Sequence, residues 1–200
     1  MHGATHDWVV LNTIKDGLEM PSGEEHNSGA IKNYIPYEYE SLKEQPIFRR
    51  VLEVGSLNVN GSTKNYDFMG LAPSWLSLIG SPDYTGIDIE SGKDVDLVMN
   101  AHDMNFKNGY FDLVICVNTL EHDDDVLASL KEMLRVTADG GTIIISIPNE
   151  EVPQHHSEHY NKLDSTAVKA LLDEAGYRNY THIRTYHDHL IKFVKGRNGI

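Results

Sequence analysis

Two acidic residues stand where apolar runs give way to polar loops, and both could bind the hydroxyl groups of a ligand. Glu53 lies two residues before Gly55, and Asp88 ends the run that begins at Tyr84. A glycine lets the backbone approach a ligand closely or adopt a positive φ, and N–H groups at the start of a following helix can receive an anionic group. The stretch around Gly55 therefore indicates a strand, a tight turn and a helix start that suit a nucleotide-like ligand, although an ordinary turn has the same pattern.

Histidines form a second group with possible chemistry. His122 follows a strongly apolar run, and an unperturbed imidazole pKa of about 6.5 suits proton removal at neutral pH. The loop between Pro153 and Tyr160 adds His155, His156, His159 and Glu158. We expect bases or contacts to the reacting molecule from this loop, chiefly His156 and His159. No metal is predicted there, because adjacent histidines are poorly placed to bind one ion together.

Alternating strand and helix patterns must position these residues. Strands are predicted at 48–54, 84–89, 95–99, 111–117, 142–147 and twice within 180–195. Helices are predicted at 63–70, 73–79, from about 126 to 140, and at 165–176. The pattern favours an α/β doubly wound sheet, mostly parallel, in which ligands bind beyond the carboxyl ends of the strands. That edge would carry Gly55, Asp88, Asn100, Asn118 and residues 146–149, whereas His187 and His189 are predicted to be surface residues.

The connection between the second and third strands is unusually short. Only a handful of residues separates Asp88 from Val95, and a parallel crossover that contains a helix needs a dozen or more. We therefore predict that this helix is missing or reduced to a loop.

Composition limits the partners of the chain. Two hundred residues fit one domain, which we place at 48–200, with 1–47 as an N-terminal arm or lid. The net charge of −13 disfavours nucleic acid as a partner. The single cysteine, Cys116, fits a small buried residue and a reducing, cytoplasmic location. No apolar run is long enough to span a bilayer, so no membrane partner is expected, while a homo-oligomer is left open.

A hydride-transfer cofactor is the first candidate ligand for such an edge. Its G-x-G-x-x-G pattern would need glycine at positions 57 and 60, where the chain has Leu57 and Asn60. Binding of a pyrophosphate therefore loses support. An adenosine ligand without phosphate fits better, since it needs an acid for the ribose hydroxyls and a polar residue for the adenine edge.

Five segments, in order, resemble the motifs of the class I S-adenosylmethionine-dependent methyltransferases over roughly residues 48–195. They are Glu53–Gly55, Gly86–Asp88, Asn100–Phe106, Phe111–Val114 with Thr119–His122, and Asp139–Thr142. The chain departs from the family at Leu57, where a second glycine is usual, and at Asn100, where aspartate is usual. The resemblance implies a Rossmann-like domain of seven strands with an antiparallel last strand.

The resemblance also implies S-adenosyl-L-methionine as the methyl donor and S-adenosyl-L-homocysteine as the product. On matching positions it implies that Asp88 binds the ribose hydroxyls and that His102 lies near the adenine. The full set of implied cofactor contacts is Glu53, Gly55, Ser56, Asp88, Ile89, Asn100, Ala101, His102 and Asn118. His122, His156 and His159 are the candidate catalytic residues. The pair Glu121–His122 recurs in relatives with different acceptors, so a structural or donor-site role also stays open for it.

The resulting interpretation is a methyltransferase that acts on a small polar molecule, at an oxygen atom of a sugar or another metabolite. Nucleobase methylation is disfavoured, because Ile147–Glu150 stands where amino-group methyltransferases commonly have Asn-Pro-Pro-Tyr or Asp-Pro-Pro-Tyr. The alternative is a non-catalytic module that binds S-adenosylmethionine or S-adenosylhomocysteine and regulates a partner.

Overall fold

The computed structural model describes residues 48–57, 82–151 and 161–196. The arm at 1–47, the helices predicted at 63–70 and 73–79, and the loop histidines at 155, 156 and 159 lie outside the described residues. The chain divides into two compact units, Met1–Arg49 with Val59–Asp83, and Arg50–Asn58 with Tyr84–Ile200. Almost all described residues belong to the second unit.

Seven strands form one sheet in the order β3-β2-β1-β4-β5-β7-β6. The strands are β1 Arg50–Val54, β2 Asp83–Asp88, β3 Leu97–Val98, β4 Phe111–Val117, β5 Thr137–Pro148, β6 Thr181–Arg184 and β7 Asp188–Val194. β4 pairs in parallel with β1 and β5, and β3 pairs in parallel with β2. β7 runs antiparallel to both β5 and β6. The predicted mostly parallel, seven-stranded sheet with an antiparallel last strand is therefore confirmed.

Two helices follow the sheet strands in the described part of the chain. α1 spans Val126–Val136, after a short 3-10 turn at Leu120–His122, and α2 spans Ser165–Ala175. Each helix begins where an aspartate accepts backbone N–H groups: Asp125 caps α1 and Asp164 caps α2. The loop at 89–96 contains no helix, which confirms the prediction for the connection between β2 and β3.

β5 differs from its prediction, because it begins at Thr137 rather than at Thr142. The pair Gly140–Gly141 was predicted to form a turn before the strand, and α1 was predicted to continue to it. The structure places both glycines inside β5, where the register with β4 shifts between Phe111 and Leu113. Gly140 has a φ of 82°, so the two glycines form an irregularity within the strand instead of ending a helix.

The core lies between the sheet and the two helices. Ile143 and Ile145 of β5 are fully buried, as is Cys116 of β4, which confirms the prediction for the cysteine. Arg135 of α1 fixes the loop after β3, since its guanidinium donates to the carbonyls of Met104 at 2.6 Å and Phe106 at 2.7 Å. Within the described segments, no helix is long and apolar enough to cross a membrane.

Gly86 should be essential for packing the loop after β2. A Cβ at this position would lie 2.5 Å from the Asp94 carbonyl oxygen and 2.7 Å from Ser56 Oγ. Because a backbone carbonyl cannot rotate away, Gly86→Ala should lower the free energy of unfolding by about 1–3 kcal/mol, measured by urea denaturation.

Gly92→Ala is the matched control for this prediction. Its Cβ would meet only the tip of the Leu57 side chain, at 2.3 Å, which can adopt another rotamer. The control should cost less than about 1 kcal/mol. Equal stability of the two variants would contradict the packing argument.

Candidate functional site

The carboxyl ends of the parallel strands meet at one edge of the sheet. β2 is held to the end of β1 because the Ile87 carbonyl accepts the N–H groups of Gly55 at 2.9 Å and Ser56 at 3.0 Å. β7 begins at the same edge, since Asp188 pairs with Pro148 at the end of β5. We call this edge the rim and define it by residues 55–57, 88–90, 99–103, 118–123, 149–151 and 188.

Gly55 brings the turn after β1 against the turn after β4. Its φ is 76°, and a Cβ there would lie 2.0 Å from Thr119 Oγ1. Both facts require glycine at this position. The neighbouring Ser56 is buried with its hydroxyl beside Gly86, and this hydroxyl has no hydrogen-bond partner among the described residues. The first motif therefore shapes the rim through close backbone packing.

The carboxylate of Asp88 is fixed at the end of β2. Its Oδ2 accepts the N–H of Leu57 at 3.2 Å, and its Oδ1 accepts the N–H of Glu90 at 3.1 Å. Each carboxylate oxygen can accept a further hydrogen bond, so the group retains capacity for a vicinal diol. Ile89, the next residue, is 69% exposed. An oriented carboxylate beside an apolar surface suits a ribose that carries a base.

Glu53 is enclosed instead of open to the rim. It is 4% exposed, and it accepts a hydrogen bond from the Tyr84 hydroxyl of β2. Burial, followed by the charge of Glu53, raises the pKa of Tyr84 well above its ordinary value, so the phenol stays a neutral donor. This pair connects β1 to β2 beside the turn at Gly55.

The loop after β3 begins with a hydrogen-bonded turn. Asn100 Oδ1 accepts the N–H of His102 at 2.8 Å, while Asn100 itself is exposed and Ala101 is half-buried. His102 Nε2 lies 2.5 Å from Asp123 Oδ1, and this contact connects the loop after β3 to the loop after β4.

The charge of His102 depends on this contact. Burial lowers its pKa, but the hydrogen bond to Asp123 and the charges of Asp123, Asp124 and Asp125 outweigh that effect and raise the pKa above 6.5. Ligand atoms of His102, Asp123 and Asp124 lie within 4.8 Å of one another, close enough to surround a cation. Exposed aspartates commonly cluster without an ion, and the hydrogen bond accounts for the arrangement, so we assign no metal to it.

Asn118 ends β4 with an unusual backbone. Its φ is 50°, a left-handed conformation that costs energy for a residue other than glycine and is frequent at functional sites. The Ser146 carbonyl of β5 accepts the Asn118 N–H at 2.9 Å, and the Ser146 hydroxyl donates to Asn118 Oδ1 at 3.0 Å. Neighbouring strand contacts therefore fix the amide at the rim.

The short turn after β4 exposes one of two adjacent ionisable side chains and buries the other. The His122 side chain is 49% exposed, whereas the Glu121 side chain is only 4% exposed, and His122 Nε2 lies 3.9 Å from Glu121 Oε1. Burial raises the pKa of Glu121 to about 8, with a further contribution from the charge of Asp188. From the sequence, Glu121 and His122 were considered as one pair. The burial of the carboxyl group and the exposure of the imidazole were not predicted.

His189 corrects another prediction. It was expected at the surface, but it is fully buried in β7, because residues around Leu163 cover it. Its Nε2 donates to the Leu163 carbonyl at 2.9 Å, so its Nδ1 accepts from His182 Nε2 at 3.1 Å. Burial lowers the pKa of His182 to about 4, and the neighbouring His189 and Lys169 add to this effect.

The rim brings together most of the residues expected at a cofactor site. Gly55, Asp88, Ile89, Asn100, Ala101, His102 and Asn118 all lie on it. The side chains of Glu53 and Ser56 are buried behind it, and His156 and His159 lie outside the described residues. The donor set fits an adenosyl group: a fixed carboxylate for a diol, an exposed apolar side chain for a base, and polar groups for its edge.

Comparison with known proteins indicates a methyltransferase domain. Residues 70–145 match the model of a family described as a methyltransferase domain. The chain is similar to ajmaline N-methyltransferase of Rauvolfia serpentina, with 32% identity over 106 residues, which cover 48% of this chain and 35% of that protein. The chain thus spans about a third of the length of this curated relative.

Solved structures show the same fold. The S-adenosylmethionine-dependent methyltransferase of Aquifex aeolicus matches with a TM-score of 0.55 and 15% identity, over 85% of this chain and 99% of that one. The corresponding protein of Archaeoglobus fulgidus matches with a TM-score of 0.54 and 17% identity, over 84% and 92%. Residues 70–145 therefore match a methyltransferase domain, and the chain has the fold of these S-adenosylmethionine-dependent methyltransferases.

Proposed function

We propose that this protein transfers a methyl group from S-adenosylmethionine to a small polar molecule, at an oxygen atom such as a sugar hydroxyl. The observation that carries the donor half is the Asp88 carboxylate, which two backbone N–H groups orient at the rim. The match of residues 70–145 to a methyltransferase domain supports methyl transfer as the reaction.

On the donor side, each rim residue has a chemical task. Asp88 would accept hydrogen bonds from the ribose hydroxyls, and Ile89 would cover one face of the adenine. The turn at Asn100–His102 would meet the edge of the base, with Ala101 between the two polar residues. Gly55 and Asn118 would border the methionine part. Glu53 and Ser56 would support the turn from behind. When bound, the cofactor supplies a methyl group on a positively charged sulfur, which a rim rich in acidic residues complements.

On the acceptor side, the protein must exclude water, hold the nucleophilic atom and accept its proton. The proposed contacts are His122, in the short turn after β4, and the histidines at 156 and 159, which follow β5 in the sequence. The net charge of −13 favours a small acceptor over nucleic acid. Nitrogen is the second candidate for the acceptor atom, because the relative from Rauvolfia serpentina is named an N-methyltransferase. A cytoplasmic location remains a prediction.

Two measurements test this proposal. Calorimetry should detect binding of S-adenosylmethionine and S-adenosylhomocysteine and no binding of NAD; NAD binding without the other two would overturn it. The protein is then incubated with S-adenosylmethionine labelled at the methyl group and a small-molecule extract, and the labelled products are analysed for O-methyl or N-methyl groups. Donor binding without any labelled product would support the non-catalytic module instead.

Replacing Asp88 should weaken donor binding selectively. Asp88→Ala removes charge-assisted bonds to the ribose, which should cost about 1.5–3 kcal/mol and weaken S-adenosylhomocysteine binding about 10- to 150-fold in calorimetry. Glu174→Ala removes an exposed acid from α2 and should leave the affinity unchanged. Urea denaturation of both variants checks that they remain folded. Unchanged affinity in folded Asp88→Ala would show that the second motif is misplaced.

The contact between His102 and Asp123 predicts a dependence of stability on pH. Asp123→Asn removes the charge that raises the pKa of His102 but keeps an oxygen to accept the Asp125 N–H. A histidine whose pKa is higher in the folded state stabilises the fold fully below its unfolded pKa of about 6.5 and loses this effect as the pH rises through its folded pKa.

The stability difference between wild type and Asp123→Asn should therefore be largest near pH 5.5 and should shrink toward pH 9. Urea denaturation across this range measures it. A difference that stays constant with pH would contradict the ion pair.

A further inference from the structure

The carboxyl group of Glu121 is buried without a complete set of partners. Its side chain is 4% exposed, and its Oε2 has no hydrogen-bond partner in the parts of the chain that the structure describes. A buried polar atom without a partner costs free energy, so such an atom requires an explanation, and a bound ligand is one. The orphaned oxygen therefore points to a ligand atom that completes it.

The backbone around Glu121 is held rigidly. Asn161 donates its N–H to the Glu121 carbonyl at 2.6 Å, and its Nδ2 donates to the carbonyls of Leu120 at 3.0 Å and Asp123 at 2.5 Å. Asn161 is the first described residue after the loop that follows β5. A turn clamped in this way fixes the backbone from which the Glu121 side chain projects, and a fixed backbone is what the support of a catalytic group requires.

The position of Glu121 in the sheet separates it from Asp88, the proposed contact of the ribose. Glu121 follows β4, whereas Asp88 ends β2, and β1 lies between these two strands. Glu121 is therefore on the β4–β5 side of the rim, where the proposed acceptor would lie. The exposed His122 remains open to water, while Glu121 is enclosed.

The groups that face Glu121 determine its proton affinity. His122 Nε2 lies 3.9 Å from its Oε1, the buried Asp188 acts on it from β7, and the Cys116 thiol of β4 is close enough for the charge of Glu121 to raise its pKa, after burial. Burial raises the pKa of Glu121 to about 8; its own backbone N–H opposes this rise, and the charge of Asp188 adds to it. A base with a pKa near the working pH is the most effective one.

We propose that Glu121 is the catalytic residue that accepts the proton of the methyl acceptor, through Oε2. The acceptor hydroxyl or amine loses its proton to the carboxylate as its heteroatom bonds to the methyl carbon. The carbon–sulfur bond breaks and leaves its electron pair on sulfur, which becomes a neutral thioether. Glu121 then releases the proton to water. This role rests on the proposed function.

The decisive comparison is wild type against Glu121→Gln, with Glu174→Gln as the control that removes an exposed acid from α2. Turnover is measured as S-adenosylhomocysteine formed from S-adenosylmethionine with the small-molecule extract, between pH 6 and 9. We expect Glu121→Gln to lower turnover at least about 100-fold. In wild type the rate should rise with pH to about 8, and the control should match wild type.

Two further readouts do not depend on turnover. The affinity of Glu121→Gln for S-adenosylhomocysteine should stay within about threefold of wild type, since Glu121 lies on the acceptor side. Between pH 4.5 and about 8 the folded protein keeps a proton on Glu121 that the unfolded chain releases, so the stability of wild type should fall with rising pH relative to Glu121→Gln. The urea midpoint of both proteins measures this.

Each result bears on the role of Glu121. Turnover by Glu121→Gln within threefold of wild type, a parallel loss of S-adenosylhomocysteine affinity, or identical pH dependence of the two urea midpoints would overturn it. Failure of the proposed function looks different, because wild type itself would then bind no S-adenosylhomocysteine or form no methylated product; that result would remove the role of Glu121 as well.

Discussion

The arrangement of the rim depends on two hydrogen bonds to one carbonyl. The N–H groups of Gly55 and Ser56 both donate to the Ile87 carbonyl, which fixes the turn after β1 against the last residues of β2. This contact places the Leu57 N–H where it can orient the Asp88 carboxylate. It also brings Ser56 against Gly86. Gly55 of the first motif and Gly86 of the second motif are therefore both needed for the close packing of these two segments. The first and second motifs are thus parts of a single backbone structure.

The rim has two regions in which a carboxyl group is buried to a different extent. Asp88 is half-buried, and two backbone N–H groups orient its carboxylate. Glu121 is enclosed near another buried acid, Asp188, and retains its proton to a higher pH. Two carboxyl groups of one edge can therefore perform different tasks, one in binding and one in proton transfer, because burial differs between them.

The sequence predicted the sheet well, because apolar runs and short connections leave few alternatives for a parallel sheet. The missing helix between β2 and β3 followed from chain length alone. The predicted start of β5 was wrong, since two glycines mark an irregularity inside a strand as readily as a turn. The burial of His189 and of Glu121 depends on Leu163 and Asn161, which are distant in sequence, and a local pattern does not reveal such coverage. The motifs suggested the cofactor residues and the loop histidines suggested the acceptor residues, and both sets are proposals.

The shortened connection after β2 has a consequence for the association of this chain with others. It leaves β3 as an edge strand of only two residues, Leu97 and Val98, which are 43% and 61% exposed. Long, flat edge strands can pair with strands of neighbouring molecules, and very short ones offer too few backbone groups for such pairing. The connection after β2 contains no helix that could cover this edge of the sheet. The edge strand is nevertheless too short to act as a template for aggregation.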